Sequence, residues 1–234
     1  MNTVEQAKQQ LKDVGYTSFN IKDYNENFYN FLLKYKCSQW ENIQHKMKNL
    51  RFDSPGKAIK SEHSSYELAY EEGTELLKQY ATTRGGMIQC WYYAEAFEIL
   101  DTNKQDENFY DDFLNNVFDI VGHMYDIDSS TLTRHASQAT YYPKGSFLTE
   151  HSDGAGTGRV CAVLIYLNES YEEKDGGYLV LDKTEKVLPH FGNVAIIDLQ
   201  SFDVKHEVTE VVGGIGRYAF LTFIKTKENE LVNF

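Results

Sequence analysis

Four side chains in the last third of the chain have types and spacings that suit metal chemistry. His151 and Asp153 stand in TYYPKGSFLTEHSDG, His206 follows in SFDVKHEV, and Arg217 in GGIGRYAFLTF. Two imidazoles and one carboxylate on one face of a metal leave three adjacent positions open, the donor set of a non-haem Fe(II) centre. A guanidinium beyond the distal histidine suits an anionic co-substrate on the same metal, because its planar fork makes two parallel hydrogen bonds to a carboxylate. Each piece is weak alone: a His-x-Asp pair is common in surface loops, and a strand arginine ordinarily sits in a surface salt bridge. Context strengthens the pair, since a strand-like segment precedes it and Gly154, Gly156 and Gly158 follow. Alternation along a strand puts residues i and i+2 on one face, so His151 and Asp153 can converge on one ion. His206 must then arrive from a sequence-remote strand.

The elements that would position these groups change character near Arg134. From there the apolar runs are short, rich in β-branched and aromatic residues, and separated by Gly, Asn and Asp turns. Eight strands are predicted in succession: HASQATYY, SFLTEH, RVCAVLIYLN, GGYLVLD, EKVLP, NVAIIDL, KHEVTEV and RYAFLTFI. Such a series predicts a sandwich or jelly roll, and a jelly roll pairs sequence-remote strands as His206 requires. The earlier part reads mainly as helix. A short amphipathic start ends near Gly15, and a second helix spans YNENFYNFLLKYKCSQWENIQHKMKNL with Phe28, Phe31, Leu32, Tyr35 and Trp40 at mostly helical spacings. A third helix is read in SSYELAYEEGTELLKQYA and a fourth in DENFYDDFLNNVFDIVGHMY, whose early acids suit the helix dipole. MIQCWYYAEAFEIL reads as a strand or a helix. The expected class is α+β: a double-stranded β-helix (jelly roll) core over residues 85–234, with a helical support region over 1–84, integrated as one domain.

The bulk numbers bound the function. With 234 residues the chain buries a real core, and 41% hydrophobic with 25% charged residues is ordinary for a globular protein. A formal charge of −12 argues against a nucleic-acid partner, which asks for a basic footprint. No signal-peptide pattern and no long apolar run is seen, so a cytoplasmic enzyme without a membrane partner is expected. Cys37, Cys90 and Cys161 form an odd, scattered set without a CxxC and read as small buried hydrophobes.

The stretch from about Ala139 to Ile224 resembles the catalytic core of the Fe(II)- and 2-oxoglutarate-dependent dioxygenases, in particular their prolyl-4-hydroxylase-like branch. The resemblance rests on YYPKGSFLTEHSD, RVCAVLIYLNE, DGGYLVL, FGNVAIIDLQ, HEV and GRYAFLTF, in the family's order and at nearly its spacing, with GGIG absorbing a slightly longer turn before Arg217. It implies that His151, Asp153 and His206 bind Fe(II) and that Arg217 binds the distal carboxylate of 2-oxoglutarate, with Tyr142 and Tyr166 lining that pocket. It also implies hydroxylation of an unactivated C–H bond with O2, succinate and CO2 being released, and not halogenation, because Asp153 keeps the position that related halogenases leave to Gly or Ala. Strand parity puts Tyr166 with Ala162 and Leu164 and leaves Arg159 on the opposite face unless a bulge intervenes.

Other residues read more quietly. Gln138 and Thr140 share a strand face with Tyr142 and meet the substrate or merely line the barrel. Trp91, Tyr92 and Tyr93 form a lid, a substrate wall or core. His45, His63, His123, His135 and His190 fall outside the metal spacing, Asp198 reads as structural, and Gly176-Gly177 as a tight strand start. The expected substrate is a small molecule such as a free amino acid or natural-product intermediate, with a peptidyl (prolyl-type) substrate as the rival. A non-catalytic metal-binding jelly-roll sensor and a cupin-type enzyme without 2-oxoglutarate are the readings from other classes. Oligomeric state is not legible.

Overall fold

The computed structural model describes residues 3–35, 47–49, 92–93, 95–99, 107–142, 144–154 and 158–230. Its elements in order are α1 (Val4–Val14), β1 (Tyr16–Asn20), α2 (Ile21–Tyr24), α3 (Glu26–Leu32), β2 (Met47–Asn49), β3 (Tyr92–Tyr93), β4 (Glu95–Ile99), α4 (Glu107–Tyr125), β5 (Leu132–Tyr142), β6 (Phe147–His151), β7 (Arg159–Tyr166), β8 (Leu179–Leu181), β9 (Glu185–Val187), β10 (Asn193–Asp198), β11 (His206–Val208) and β12 (Arg217–Thr226). The larger sheet runs β1-β10-β7-β12-β5-β4-β2 and the smaller one β3-β6-β11-β8-β9, with every strand pair antiparallel. This is the jelly-roll arrangement expected, and each of the eight predicted strands is present in its predicted order.

Alternation divides the core into two layers. On β7, Cys161, Val163 and Ile165 face the helices, joined by Ile196 of β10 and Phe220 of β12, and packed against Leu11 of α1, Phe28 of α3 and Phe113, Val117 and Ile120 of α4. Ala162 and Tyr166 point the other way and pack with Leu179, Leu181 and Val208 of the smaller sheet. The site therefore has a sheet on either side and helices behind only one of them.

The helical face is pinned by specific contacts. Thr3 and Gln6 form a capping box at the start of α1, while Lys8 and Lys12 both reach Asp126 just past α4. Phe113 meets Phe220 edge-on with centroids 5.1 Å apart. No helix among the described residues is long and apolar enough to cross a membrane.

Two readings of the first part need correction. The support region is not purely helical, because Tyr16–Asn20 pairs along its whole length with β10 and forms an edge of the larger sheet. The second predicted helix stops at Leu32 in a 3-10 turn, and its last residues form β2, paired with β4. Tertiary pairing overrides the helical propensity there. The ambiguous MIQCWYYAEAFEIL segment supplies strands β3 and β4, so Tyr92 and Tyr93 pair with β6. The helix read in SSYELAYEEGTELLKQYA, the boundary at 84/85, Trp91, Cys37, Cys90, His45 and His63 lie outside the described residues.

Candidate metal and co-substrate site

His151 ends β6 and His206 begins β11, and the two are direct register partners across that antiparallel pair. Their rings stand 4.1 Å apart centre to centre. Asp153, two residues past the end of β6, brings its carboxylate to both: Oδ1 lies 3.7 Å from His151 Nε2, and Oδ2 lies 3.6 Å from His206 Nε2. All three donor atoms fall within 4.8 Å of one another, the one such group of His, Cys, Asp and Glu donors among the described residues. Both histidines are buried and the Asp153 side chain is 12% exposed.

The donor set fits a divalent iron. His206 Nδ1 sits 3.3 Å from the carbonyl of Val204. A carbonyl only accepts, so Nδ1 carries the proton and Nε2 turns its lone pair to Asp153 and His151. The loop bearing Asp153 is tied down on both sides. Ser152 donates to the Asp203 carboxylate, and Gly154 N–H donates to Ser152 Oγ at 3.1 Å. The Ser152 bond, with help from Lys205, holds the Asp203 carboxyl below the usual carboxylate range. Because Asp203 lies three residues before His206, this bond joins the two ligand-bearing segments.

Arg159 lies within this site, and strand parity alone missed it. The pairing of β7 with β12 slips between Ile224 and Lys225, so that Ile224 opposes Cys161 while Lys225 opposes Arg159. The extra residue, Val160, turns with Cys161 toward the helices. Arg159 is thereby returned to the inner face, where its guanidinium covers the Phe223 ring at 4.7 Å and donates to the Asp153 carbonyl at 2.5 Å.

The second cluster centres on Arg217, the first residue of β12, which is 1% exposed. Its register partner is Tyr142. The guanidinium lies 4.8 Å from the Tyr142 ring and 4.9 Å from the Tyr166 ring, and Nη2 donates to the Tyr166 hydroxyl at 3.2 Å. Burial raises the Tyr166 phenol against the opposing pull of Arg217, so the ring is neutral and keeps a proton to donate. Among the described residues no carboxylate pairs with Arg217, and its Nε is buried without a partner. A buried cation wrapped in tyrosines and lacking an anion is a fitted receptor for a carboxylate.

Asn168, two residues past β7 and fully buried, fixes that arginine. Its amide donates to the Gly216 carbonyl at 2.7 Å and accepts from Tyr218 N–H at 2.8 Å, clasping the backbone on both sides of Arg217. Its sequence signal was a carboxamide closing the LIYLN strand, where a solvent turn residue was the ordinary alternative.

The remaining site residues are placed as follows. Thr140 is buried and donates to the Ala219 carbonyl at 3.3 Å, while Gln138 pairs through its backbone with Leu221 and Glu98. Asp198 accepts N–H bonds from Gln200, Ser201 and Phe202 and a hydroxyl bond from Tyr125, a wholly structural set. Gly176 and Gly177 have φ of +70° and +67°, and a Cβ on Gly176 would stand 2.1 Å from the Glu210 carbonyl. Cys161 is buried and free.

Residues 137–225 match the sequence profile of a family described as the 2OG-Fe(II) oxygenase superfamily. No curated protein sequence matches the chain significantly. Among solved structures, a Pseudomonas putida prolyl-4-hydroxylase aligns with 13% identity and a TM-score of 0.60, covering 96% of this chain and 99% of that one. A Trichoplax adhaerens prolyl hydroxylase, in complex with a hypoxia inducible factor peptide fragment, aligns with 16% identity and a TM-score of 0.60 over 99% and 92%. SnoN, a non-haem alpha-ketoglutarate-dependent epimerase from nogalamycin biosynthesis, aligns with 9% identity and a TM-score of 0.57 over 95% and 83%. At these identities the likeness is one of fold.

Proposed function

We propose that the chain, whose residues 137–225 match the 2OG-Fe(II) oxygenase superfamily, is a hydroxylase of unactivated C–H bonds in a small molecule such as a free amino acid or natural-product intermediate. The observation that carries the reading is the pairing of the His151–Asp153–His206 triangle, its two histidines buried, with a buried arginine that meets no carboxylate among the described residues. His151, Asp153 and His206 would hold Fe(II), and Arg217 with Tyr166 and Tyr142 would hold 2-oxoglutarate. Bound there, Fe(II) supplies the O2-dependent oxidation of a C–H bond coupled to conversion of 2-oxoglutarate to succinate and CO2.

The chain's own residues do the positioning. Val204 sets the His206 tautomer so that Nε2 is the ligand atom. Arg159 and Ser152 fix the Asp153 loop from opposite sides. Asn168 clasps the backbone that carries Arg217, so the guanidinium is preorganised before any anion arrives. The retained Asp153 carboxylate favours hydroxylation over halogenation. Thr140, buried on the same strand as Tyr142, is carried forward together with Gln138 as a proposed substrate contact.

A peptidyl substrate is the second reading. The Trichoplax adhaerens neighbour was solved with a peptide, whereas SnoN is an epimerase from nogalamycin biosynthesis. The test is succinate formation by anaerobically iron-loaded protein given 2-oxoglutarate and then O2, across free amino acids and short peptides. Succinate stimulated by one class, with a product heavier by one oxygen and lost in Asp153→Ala, supports the reading. Full activity of Asp153→Ala, or absence of iron binding, sinks it.

A further inference from the structure

The co-substrate pocket has one polar group that none of the roles above uses. Tyr171 follows the LIYLN strand by a few residues and is 5% exposed, yet its hydroxyl is buried with no hydrogen-bond partner. Among the described residues four buried side-chain polar atoms lack partners, and Tyr171 OH and Arg217 Nε are two of them. Both groups border the same glycine: a Cβ on Gly177 would stand 2.8 Å from Tyr171 OH and 3.5 Å from Arg217 Cδ. The phenol and the stem of the arginine thus flank one corner, with Gly177 leaving room for both. The positive charge of Arg217 is felt at the phenol, but burial dominates and raises it, so Tyr171 is a neutral O–H donor at physiological pH. The His190 ring packs against the tyrosine nearly at right angles, 6.2 Å away centre to centre.

Buried polar atoms in native proteins are nearly always met by something. A donor hydroxyl and a guanidinium N–H, unpartnered at one corner, call for an acceptor with two oxygens. We propose that Tyr171 is a further anchor for the distal carboxylate of 2-oxoglutarate, donating its hydroxyl to that group beside Arg217 and Tyr166 and selecting for a dicarboxylic 2-oxo acid. The proposal rests on the reading of Arg217 as the co-substrate anchor.

The test compares two 2-oxo acids that differ in the distal carboxylate. Anaerobic Fe(II)-loaded protein is titrated with 2-oxoglutarate and with pyruvate, following the visible charge-transfer absorption of the chelate and the heat of binding. Tyr171→Phe is expected to weaken 2-oxoglutarate about tenfold or more, the scale of one hydrogen bond to a charged group, while leaving pyruvate and the ligand-free melting temperature unchanged. Equal 2-oxoglutarate affinity in wild type and Tyr171→Phe overturns the proposal, as does equal weakening of both acids, which marks general loosening. If Arg217→Met loses 2-oxoglutarate and Tyr171→Phe keeps it, Tyr171 alone is wrong. If the wild type does not bind 2-oxoglutarate, the reading of Arg217 falls and takes this one with it.

Discussion

Replacing Arg217 with methionine tests the co-substrate pocket in two opposite directions at once. In the ligand-free protein the arginine is a buried charge with no carboxylate partner among the described residues, offset only by the Tyr142 and Tyr166 rings and one bond to the Tyr166 hydroxyl. An apolar side chain of similar length removes an uncompensated charge, so ligand-free Arg217→Met is expected to be as stable as wild type or more so, by up to ~3 kcal/mol. With 2-oxoglutarate the order reverses. Two charge-assisted hydrogen bonds at about 1.5–3 kcal/mol each make the arginine worth roughly 10²–10⁴ in affinity. At a concentration 100 times its Kd, the co-substrate stabilises wild type by about 2.7 kcal/mol, or ~5–11 °C for a chain of this size. At the same concentration the variant shifts by about 2 °C or less. The assay is a pair of thermal melts of metal-loaded protein with and without 2-oxoglutarate. A variant that keeps the full ligand-induced shift refutes the reasoning, and one that is strongly destabilised without ligand refutes the reading of Arg217 as an unneutralised charge.

Three further outcomes follow from separate parts of the structure. Arg159→Met removes the bond to the Asp153 carbonyl and is expected to lower divalent-metal affinity about 10–100-fold, as loss of a supporting partner does; unchanged affinity in a metal titration would remove Arg159 from the site. Phe113→Ala empties a fully buried position between α4 and the larger sheet and should cost about 3–5 kcal/mol, lowering the melting temperature by ~6–20 °C. Asp126 is held down to about 2 by its bonds to Lys12 and Lys8. A depressed carboxylate contributes stability above its unfolded value near 3.8 and loses it as pH falls through the folded value. Asp126→Asn has no such stability to lose, so denaturation midpoints of the two proteins should differ above pH ~4 and converge below pH ~2; parallel curves through that window would contradict the pairing.

The part of the fold that carries the site was legible because its local signals agree with its tertiary role. From Leu132 onward each strand is short, β-branched or aromatic, and closed by a turn residue, and each appears in the structure at its predicted place. The early part was harder. Tyr16–Asn20 is only five residues long and becomes a strand by pairing with β10, information that lies some 180 positions away. Met47–Asn49 carries nothing in its own composition that opposes a helix, and pairing with β4 decides it. His151, Asp153, His206 and Arg217 were found by type and spacing alone. Arg159 was hidden because one slipped residue at Val160 reverses strand parity, and such a slip leaves no mark in a hydrophobicity pattern. Asn168 and Tyr171 were hidden for another reason: one clasps the backbone around Arg217 and the other stands beside Gly177, and neither relation has a sequence spacing.

The direct opposition of His151 and His206 across β6 and β11 bears on when in the life of the molecule iron is captured. A chain still folding offers only the local His-x-Asp pair, two donors with neither the third ligand nor the tautomer set by Val204. The third donor arrives only when β11 closes on β6, a long-range pairing that carries a loop-closure cost the local pair does not. Tight metal retention is thus a certificate of maturity: a redox-active ion is held fast only by molecules whose surrounding barrel is already built to confine what it does.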